Sequence, residues 1–371
     1  MNKKNLLRFI SNIPGWRTKR RIVVIESDDW GSTRFPDIET VNIFKQAGYN
    51  VDKCGFSRYD CLETNKDLES LIQMLKSLSE KHDKKICLTM LCNTSNPNFE
   101  LIKKSNFTQY SGEILSDSIS EDSKRDKIIN LLKKGRNLGY FDMQYHGREH
   151  LNVNRWMRAL QQKQPETVFA FQNKVWGQSP RYMPNLEKGF RSTYDLDLIE
   201  DLVDQKEQLL SGIEEFNQLY SFYPSYFVAP NGPFHKDLEI ELSKNGIGQI
   251  GMSKIQKMPI GKGNYKKRFH WLGKELKSGL TVITRNVIFE PMSAVSGNIE
   301  TVIKDIDIAF ALNKPAIIST HRANYVEGID QKNRESGLNK LELLLCSIIK
   351  KWPDVEFMTS SELGELMQRK K

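Results

Sequence analysis

Two of the six histidines, His146 and His150, stand four residues apart in Tyr145-His146-Gly147-Arg148-Glu149-His150, directly after the strand-like run 139–144. In a helix that starts at His146, residues i and i+4 share a face, so two imidazoles can converge on one cation. A third ligand is expected from Arg21-Ile22-Val23-Val24-Ile25-Glu26-Ser27-Asp28-Asp29-Trp30-Gly31, where an apolar strand stops at two adjacent carboxylates and a glycine turn. Two histidines and one carboxylate leave an open coordination position, the arrangement that hydrolytic zinc chemistry requires. Alone, Asp28-Asp29 reads as a turn or a helix cap; the paired histidines make it a ligand source. His146-Gly147-Arg148-Glu149-His150 also spells H-x-x-E-H, a metalloprotease pattern with both histidines on a helix and the glutamate as base. Gly147, directly after a strand run, argues against one continuous helix through both.

Two further segments end in chemistry-bearing residues. Tyr226-Phe227-Val228-Ala229-Pro230-Asn231-Gly232 is a strand closing on a tight turn, and Pro315-Ala316-Ile317-Ile318-Ser319-Thr320-His321 puts a histidine at the end of an apolar strand. To position four such motifs, strands are expected at 21–27, 85–91, 140–145, 225–229, 248–252, 280–289, 315–320 and 355–359. Helices are expected between them at 37–47, 65–82, 121–137, 149–162, 196–219, 236–245, 299–313 and 338–351. Eight alternating strands and helices, with polar residues just after the strands, suggest a distorted (β/α) barrel whose site lies at the C-terminal strand ends; a doubly wound sheet would give a similar string. The polar segment 103–120 reads as a surface insertion or lid, and 171–191, with Trp176, Tyr182 and two prolines, as a loop that walls a cleft. Residues 1–20 read as an N-terminal extension and 21–371 as one barrel domain, without internal repeats.

The chain has 371 residues, 39% hydrophobic and 27% charged, enough for one large core or two modest ones in a soluble, globular protein. No apolar stretch approaches the ~20 residues of a membrane span, and the N-terminus, interrupted by Arg8, lacks the pattern of a cleaved leader, so a cytoplasmic protein is expected. Five cysteines without a CxxC pair fit reduced, buried thiols. The formal charge of +9 is spread over the length with short clusters at 17–21, 266–268 and 369–371. These lack a nucleic-acid motif, and fit attraction to an anionic substrate or peripheral association with an anionic membrane surface.

Taken in order, the motifs resemble those of the polysaccharide deacetylase family, also called the NodB-homology or carbohydrate esterase 4 family, over residues 21–360. Glu26-Ser27-Asp28-Asp29-Trp30-Gly31 looks like its T-F-D-D-G motif, and His146 and His150 match its H-[ST]-x-x-H pair with Gly147 at the Ser or Thr position. Val228-Ala229-Pro230-Asn231-Gly232 is similar to R-x-P-Y-G, and Ser319-Thr320-His321 to L-x-H. Val228 stands where the family has an arginine paired with the catalytic Asp, Ser319 stands where it has an apolar residue, and no clear D-x-x-D-W motif follows, which marks a divergent branch. The resemblance implies removal of an N-acyl group, acetyl above all, from an amino sugar in surface-polysaccharide biosynthesis. By the same resemblance, Asp29, His146 and His150 hold a divalent ion, Zn2+ by preference, while Asp28 is the base and His321 the acid.

The backbone N–H of Asn231 is the expected oxyanion donor, and Arg191, Arg285 and Arg322 are the candidates for the charge missing at Val228. Arg285, Asn286, Glu290, Asn324 and Tyr325 are expected to contact substrate, and Trp30, Trp176, Trp271 and Tyr325 could stack on a pyranose ring. The substrate is read as a nucleotide-linked or lipid-linked sugar, or an oligosaccharide. A non-catalytic carbohydrate-binding barrel is the alternative.

Overall fold

The computed structural model describes residues 3–369, with side chains from residue 6 onward. Its centre is a nine-stranded sheet of β1 (Ile22–Trp30), β2 (Leu88–Cys92), β3 (Phe141–Tyr145), β4 (Tyr226–Val228), β5 (Gln249–Gly251), β6 (Thr281–Ile283), β7 (Val287–Ile288), β8 (Ala316–His321) and β9 (Glu356–Met358). The order along the sheet is β6-β5-β4-β3-β2-β1-β8-β7, every pairing is parallel, and β9 joins the N-terminal half of β1. Ile22, Val23, Val24 and Ile25 are at most 1% exposed, as expected of a β-branched strand covered on both faces.

The two ends of this order, β6 and β7, are consecutive in sequence and separated only by Thr284, Arg285 and Asn286. A connection that short spans no more than about 15 Å, whereas eight strands laid flat would put their edges about 34 Å apart. The sheet therefore curls into a distorted barrel with an unpaired seam between β6 and β7. The sequence pattern suggested one strand over 280–289; the structure breaks it at this seam. Asn286 latches the seam to β8, donating to the Pro315 carbonyl at 2.9 Å and accepting from the Ile317 N–H at 2.8 Å.

Helices cover the outside. Asn65–His82 buries Leu68, Leu71, Ile72, Leu75 and Leu78 at helical spacing, and its start carries a capping box from Thr64 and Asp67. Residues 171–191 fold against a second apolar cluster built on Phe35, Phe44, Trp156 and Trp176, and 103–120 is anchored by a hairpin of Ser95–Pro97 with Gly112–Ile114. The helix Lys3–Asn12 and the segment after it dock on the barrel: the Trp16 N–H donates to the Leu272 carbonyl at 2.8 Å, and the Thr18 N–H to that of Asn313 at 2.8 Å. Among the described residues no helix is long and apolar enough to cross a membrane.

Candidate active site

Successive side chains of a strand point to opposite faces, so Asp28 and Asp29 should diverge. They do not. β1 runs on through Trp30, its register against β2 shifts between Ser27 and Trp30, and Asp29 takes a φ of 76°. Both carboxylates thereby line one cavity of about 540 Å³ at the C-terminal strand ends. The left-handed residue costs on the order of 1 kcal/mol, and its surroundings hold it in place. The buried Trp30 donates from Nε1 to Ser27 Oγ at 3.0 Å, and the Gly31 N–H donates to Glu63 at 3.0 Å. A Cβ on Gly31, whose φ is 79°, would lie 2.5 Å from the Asn93 carbonyl oxygen, so glycine is required there.

His146 and His150 also reach the cavity, but not from a helix. The helix begins at Val153, capped by Asn152, and both histidines sit on the loop after β3. The expected helix over 149–162 is shorter at its start because Gly147 turns the chain at φ 93°. Asn93 clamps that loop, donating from Nδ2 to the carbonyls of His146 and Gly147 at 2.9 and 3.0 Å. His146 Nε2 and His150 Nε2 lie 3.3 and 3.1 Å from the same oxygen, Asp29 Oδ1. All three residues are buried and form one cluster of metal-ligating type. The other Asp29 oxygen accepts from Arg34 at 3.1 Å. Burial alone would raise the Asp29 carboxyl, yet His150, His146 and Arg34 together hold it well below the usual carboxylate range.

The donor set fits a divalent cation. His146 Nδ1 lies 2.8 Å from the Val228 carbonyl, which can only accept, so Nδ1 carries the proton. In the neutral form that ligation needs, the Nε2 lone pair would face Asp29 Oδ1, a buried oxygen that makes no hydrogen bond. Lone pair facing lone pair is repulsive without a positive charge between them. Burial pushes His150 down toward its neutral form, as ligation needs. Its Nδ1 has no protein partner, and the ring stacks on Trp176 with centroids 6.1 Å apart.

Asp28 has the opposite surroundings. Arg285, in the seam between β6 and β7, grips it with two hydrogen bonds of 2.6 Å and also reaches Glu26 and Ser319 Oγ. Burial would raise the Asp28 carboxyl, but Arg285 holds it below its ordinary value. Of the three arginines weighed against Val228, Arg285 is thus the one on Asp28. Arg322 is fully buried on Asp60 and Glu63, and Arg191 lines the cavity without touching either aspartate. Opposite, His321 Nε2 is 3.8 Å from Asp28 Oδ2, and its Nδ1 donates to Glu290 at 2.7 Å. Burial would lower the His321 imidazole; Glu290 outweighs it and holds the group up at about 9.

Several of the expected substrate contacts have partners within the protein. Glu290 is buried and occupied by His321 and by Asn324 Nδ2 at 2.7 Å. Asn324 is fully buried, bonding Glu290 and the His321 carbonyl, and Tyr325, also fully buried, pairs with Thr320 Oγ1 at 2.9 Å. These three side chains are engaged within the protein around His321. Asn286 borders the cavity, but its amide is spent on backbone. Trp30 is core, Trp176 backs His150, and Trp271 lies on the outer surface beside Lys274. Asn231 lines the cavity at φ 56°. Glu149, the base of the protease alternative, is buried with Arg148 at 2.8 Å and Tyr110 at 2.9 Å and is not among the residues that line the cavity. Sequence reasoning missed Arg34, Asn93 and Lys254: Arg34 follows the Asp28-Asp29-Trp30-Gly31 motif, while Asn93 and Lys254 each lie just past an expected strand, outside any motif.

No family model matches this chain, and no curated protein matches it. Solved structures similar to it include a protein assigned as a polysaccharide deacetylase from Mycobacterium smegmatis, at 10% identity, covering 97% of this chain and 94% of that one with a TM-score of 0.43. PuuE allantoinase is similar at 13% identity over 98% and 97% of the two chains, TM-score 0.46. A CE4 family pseudoenzyme from Bacillus anthracis is similar at 10% identity over 93% of this chain and 66% of that one, TM-score 0.40. Likeness at this level carries no inference about activity, and the functional reading rests on the site itself.

Proposed function

We propose that this chain is a metal-dependent hydrolase that removes an N-acyl group, acetyl in the first instance, from an amino sugar, and that it serves surface-polysaccharide biosynthesis. The observation that carries the reading is the division of labour around one cavity. A carboxylate kept ionised by Arg285 faces an imidazole kept protonated by Glu290, beside the cluster of Asp29, His146 and His150. Amide hydrolysis needs a base, an acid and a charge sink in that proximity.

Asp29, His146 and His150 would hold a divalent ion, Zn2+ by the chemistry of the donors, which when bound supplies Lewis-acid polarisation and a nucleophile competent at neutral pH. Asp28 takes a proton from the attacking water as its oxygen bonds to the acyl carbon. The backbone N–H of Asn231 is the candidate donor to the oxyanion. As the C–N bond breaks, the His321 imidazolium gives its Nε2 proton to the departing amine, with Nδ1 still held by Glu290. The products are the free amine of the sugar and the carboxylate.

The test is release of acyl carboxylate from N-acetylated amino sugars, offered free, nucleotide-linked and lipid-linked to wild-type protein carrying one metal ion per chain. Turnover that disappears in Asp28→Asn supports the reading. No turnover of any of them overturns it in favour of a carbohydrate-binding barrel.

A further inference from the structure

Most charged groups around the cavity are already matched within the protein. Arg34 pairs with Asp29 and Asp60, Arg285 with Glu26 and Asp28, His321 with Glu290, and Arg8 with Asp305. Two cations on the cavity wall are not. Arg191, at the end of the long 171–191 loop, meets only Ser179 Oγ at 3.4 Å and Cys54 Sγ at 4.0 Å. Lys254, just after β5, meets only Asn12 Oδ1 at 2.6 Å and Ser11 Oγ at 3.1 Å. Among the described residues neither has a carboxylate within ion-pairing distance. Burial is felt by both: it pushes Arg191 below its ordinary value, with Arg34 adding to the effect, and takes Lys254 down to about 8. A partly buried cation without a counter-ion is unfavourable unless a ligand supplies one.

We infer that the cavity takes an amino sugar bearing an oxyanion substituent, a phosphate, and that Arg191 with Lys254 provides its charge recognition. This rests on the reading of the cavity as an amino-sugar site and names the substrate class within it. Arg191 offers a planar fork for phosphate oxygens and Lys254 a point charge.

The test is direct binding by calorimetry, independent of turnover, using N-acetylglucosamine and N-acetylglucosamine 1-phosphate as a pair differing only in the phosphate. The phosphate form should bind at least about tenfold more tightly to wild type, a preference that added salt weakens. Arg191→Gln should erase most of the preference, Arg191→Lys should keep part of it, and Lys254→Met should reduce it. Glucuronic acid tests a carboxylate source, and uridine diphosphate N-acetylglucosamine against a short-chain polyprenyl diphosphate sugar separates nucleotide from lipid carriers. Equal binding of the first pair to wild type overturns the proposal even if acetyl release is found. A phosphate preference without acetyl release leaves this site standing and removes the hydrolase instead.

The helix Lys3–Asn12 exposes Leu6, Leu7 and Ile10 on consecutive turns, with Leu7 59% and Ile10 52% exposed, and Ile13 follows. Lys254 ties its end to a hairpin of Ile255–Pro259 with Tyr265–Phe269, in which Ile255 sits opposite Phe269 and Lys257 opposite Lys267. Phe269 is 61% exposed. Arg17, Lys257, Lys266 and Lys267 are exposed around these apolar groups and have no ion pair among the described residues. Apolar side chains bordered by unpaired cations are the pattern of an interfacial helix on an anionic bilayer. The geometry points to docking of this face on an anionic phospholipid surface, with the cavity mouth, where Arg8 and Lys254 lie, held at that surface.

Co-sedimentation of the full chain with phosphatidylcholine vesicles and with vesicles also containing phosphatidylglycerol tests it. Binding to the anionic vesicles alone, weakened by salt and by Leu7→Asp with Ile10→Asp, supports the proposal. It is overturned by absence of binding, by binding unchanged in the double variant, or by a dimer in solution that the same variant dissociates.

Discussion

Asp28 and Asp29 are neighbours on one strand, share one cavity and are equally hidden from solvent, yet their surroundings are opposite. The seam between β6 and β7 gives Asp28 a complete set of partners: two hydrogen bonds from Arg285, and behind them Glu26 of β1, which also accepts from Tyr226 and Ser360. The segment after β1 gives Asp29 one arginine on one oxygen, and the loop after β3 crowds two imidazole nitrogens on the other, which makes no hydrogen bond. One half is saturated by the protein, and the other is the cluster that a cation would complete. Identical side chains thus acquire different chemistry through one left-handed residue and the choice of neighbouring segment.

The largest expected effect breaks the second half. His146→Ala, His150→Ala and Asp29→Asn should each abolish binding of a divalent ion, remove turnover, and remove the rise in Tm that added Zn2+ gives wild type. Metal analysis and thermal melts check this together; unchanged stoichiometry in both histidine variants would reject the cluster as a site.

Next come the two groups proposed to move protons. Asp28→Asn and His321→Ala should keep the metal yet lose at least ~100-fold in turnover. Asp28 works ionised, so activity falls as pH drops through its lowered value. His321 works protonated, so activity falls as pH rises through about 9. The first variant should lose the acidic limb of the kcat/KM profile and the second the alkaline limb.

A smaller effect sharpens the contrast. Arg285→Gln removes the charge that holds Asp28 down, so the acidic limb should move to higher pH. Glu290→Gln removes the charge that holds His321 up, so the alkaline limb should move to lower pH. Opposite displacements in two pH profiles are not expected from general loss of structure. The smallest effect belongs to Glu149→Gln, which disturbs buried bonds to Arg148 and Tyr110 at a cost of about 1–2 kcal/mol in stability. Metal content and kcat should stay near wild type; a loss like that of a histidine variant would favour the protease alternative.

The barrel was legible because continuous β-branched apolar runs and helical stripes are local signals. All eight expected strand regions contain strands, and the helix over 65–82 has the expected bounds, set by Thr64 and Asp67. The break of 280–289 into two strands was not legible, since a seam depends on which strands meet when the sheet curls. The same blindness hid Arg285's partner: its tie to Asp28 spans 257 positions in sequence. Glu290, Asn324 and Tyr325 were noticed by position after a strand, but whether a polar group faces a ligand or its neighbour is decided by packing. The histidine pair was visible by spacing alone, although a clamped loop and not a helix turn brings the rings together.

The most direct test measures metal content and turnover side by side in Asp28→Asn and Asp29→Asn. The account predicts one divalent ion per chain and no useful turnover in the first, and neither metal nor turnover in the second. Equal metal content in the two variants, or metal lost from Asp28→Asn and kept by Asp29→Asn, would contradict the division of roles between the adjacent aspartates.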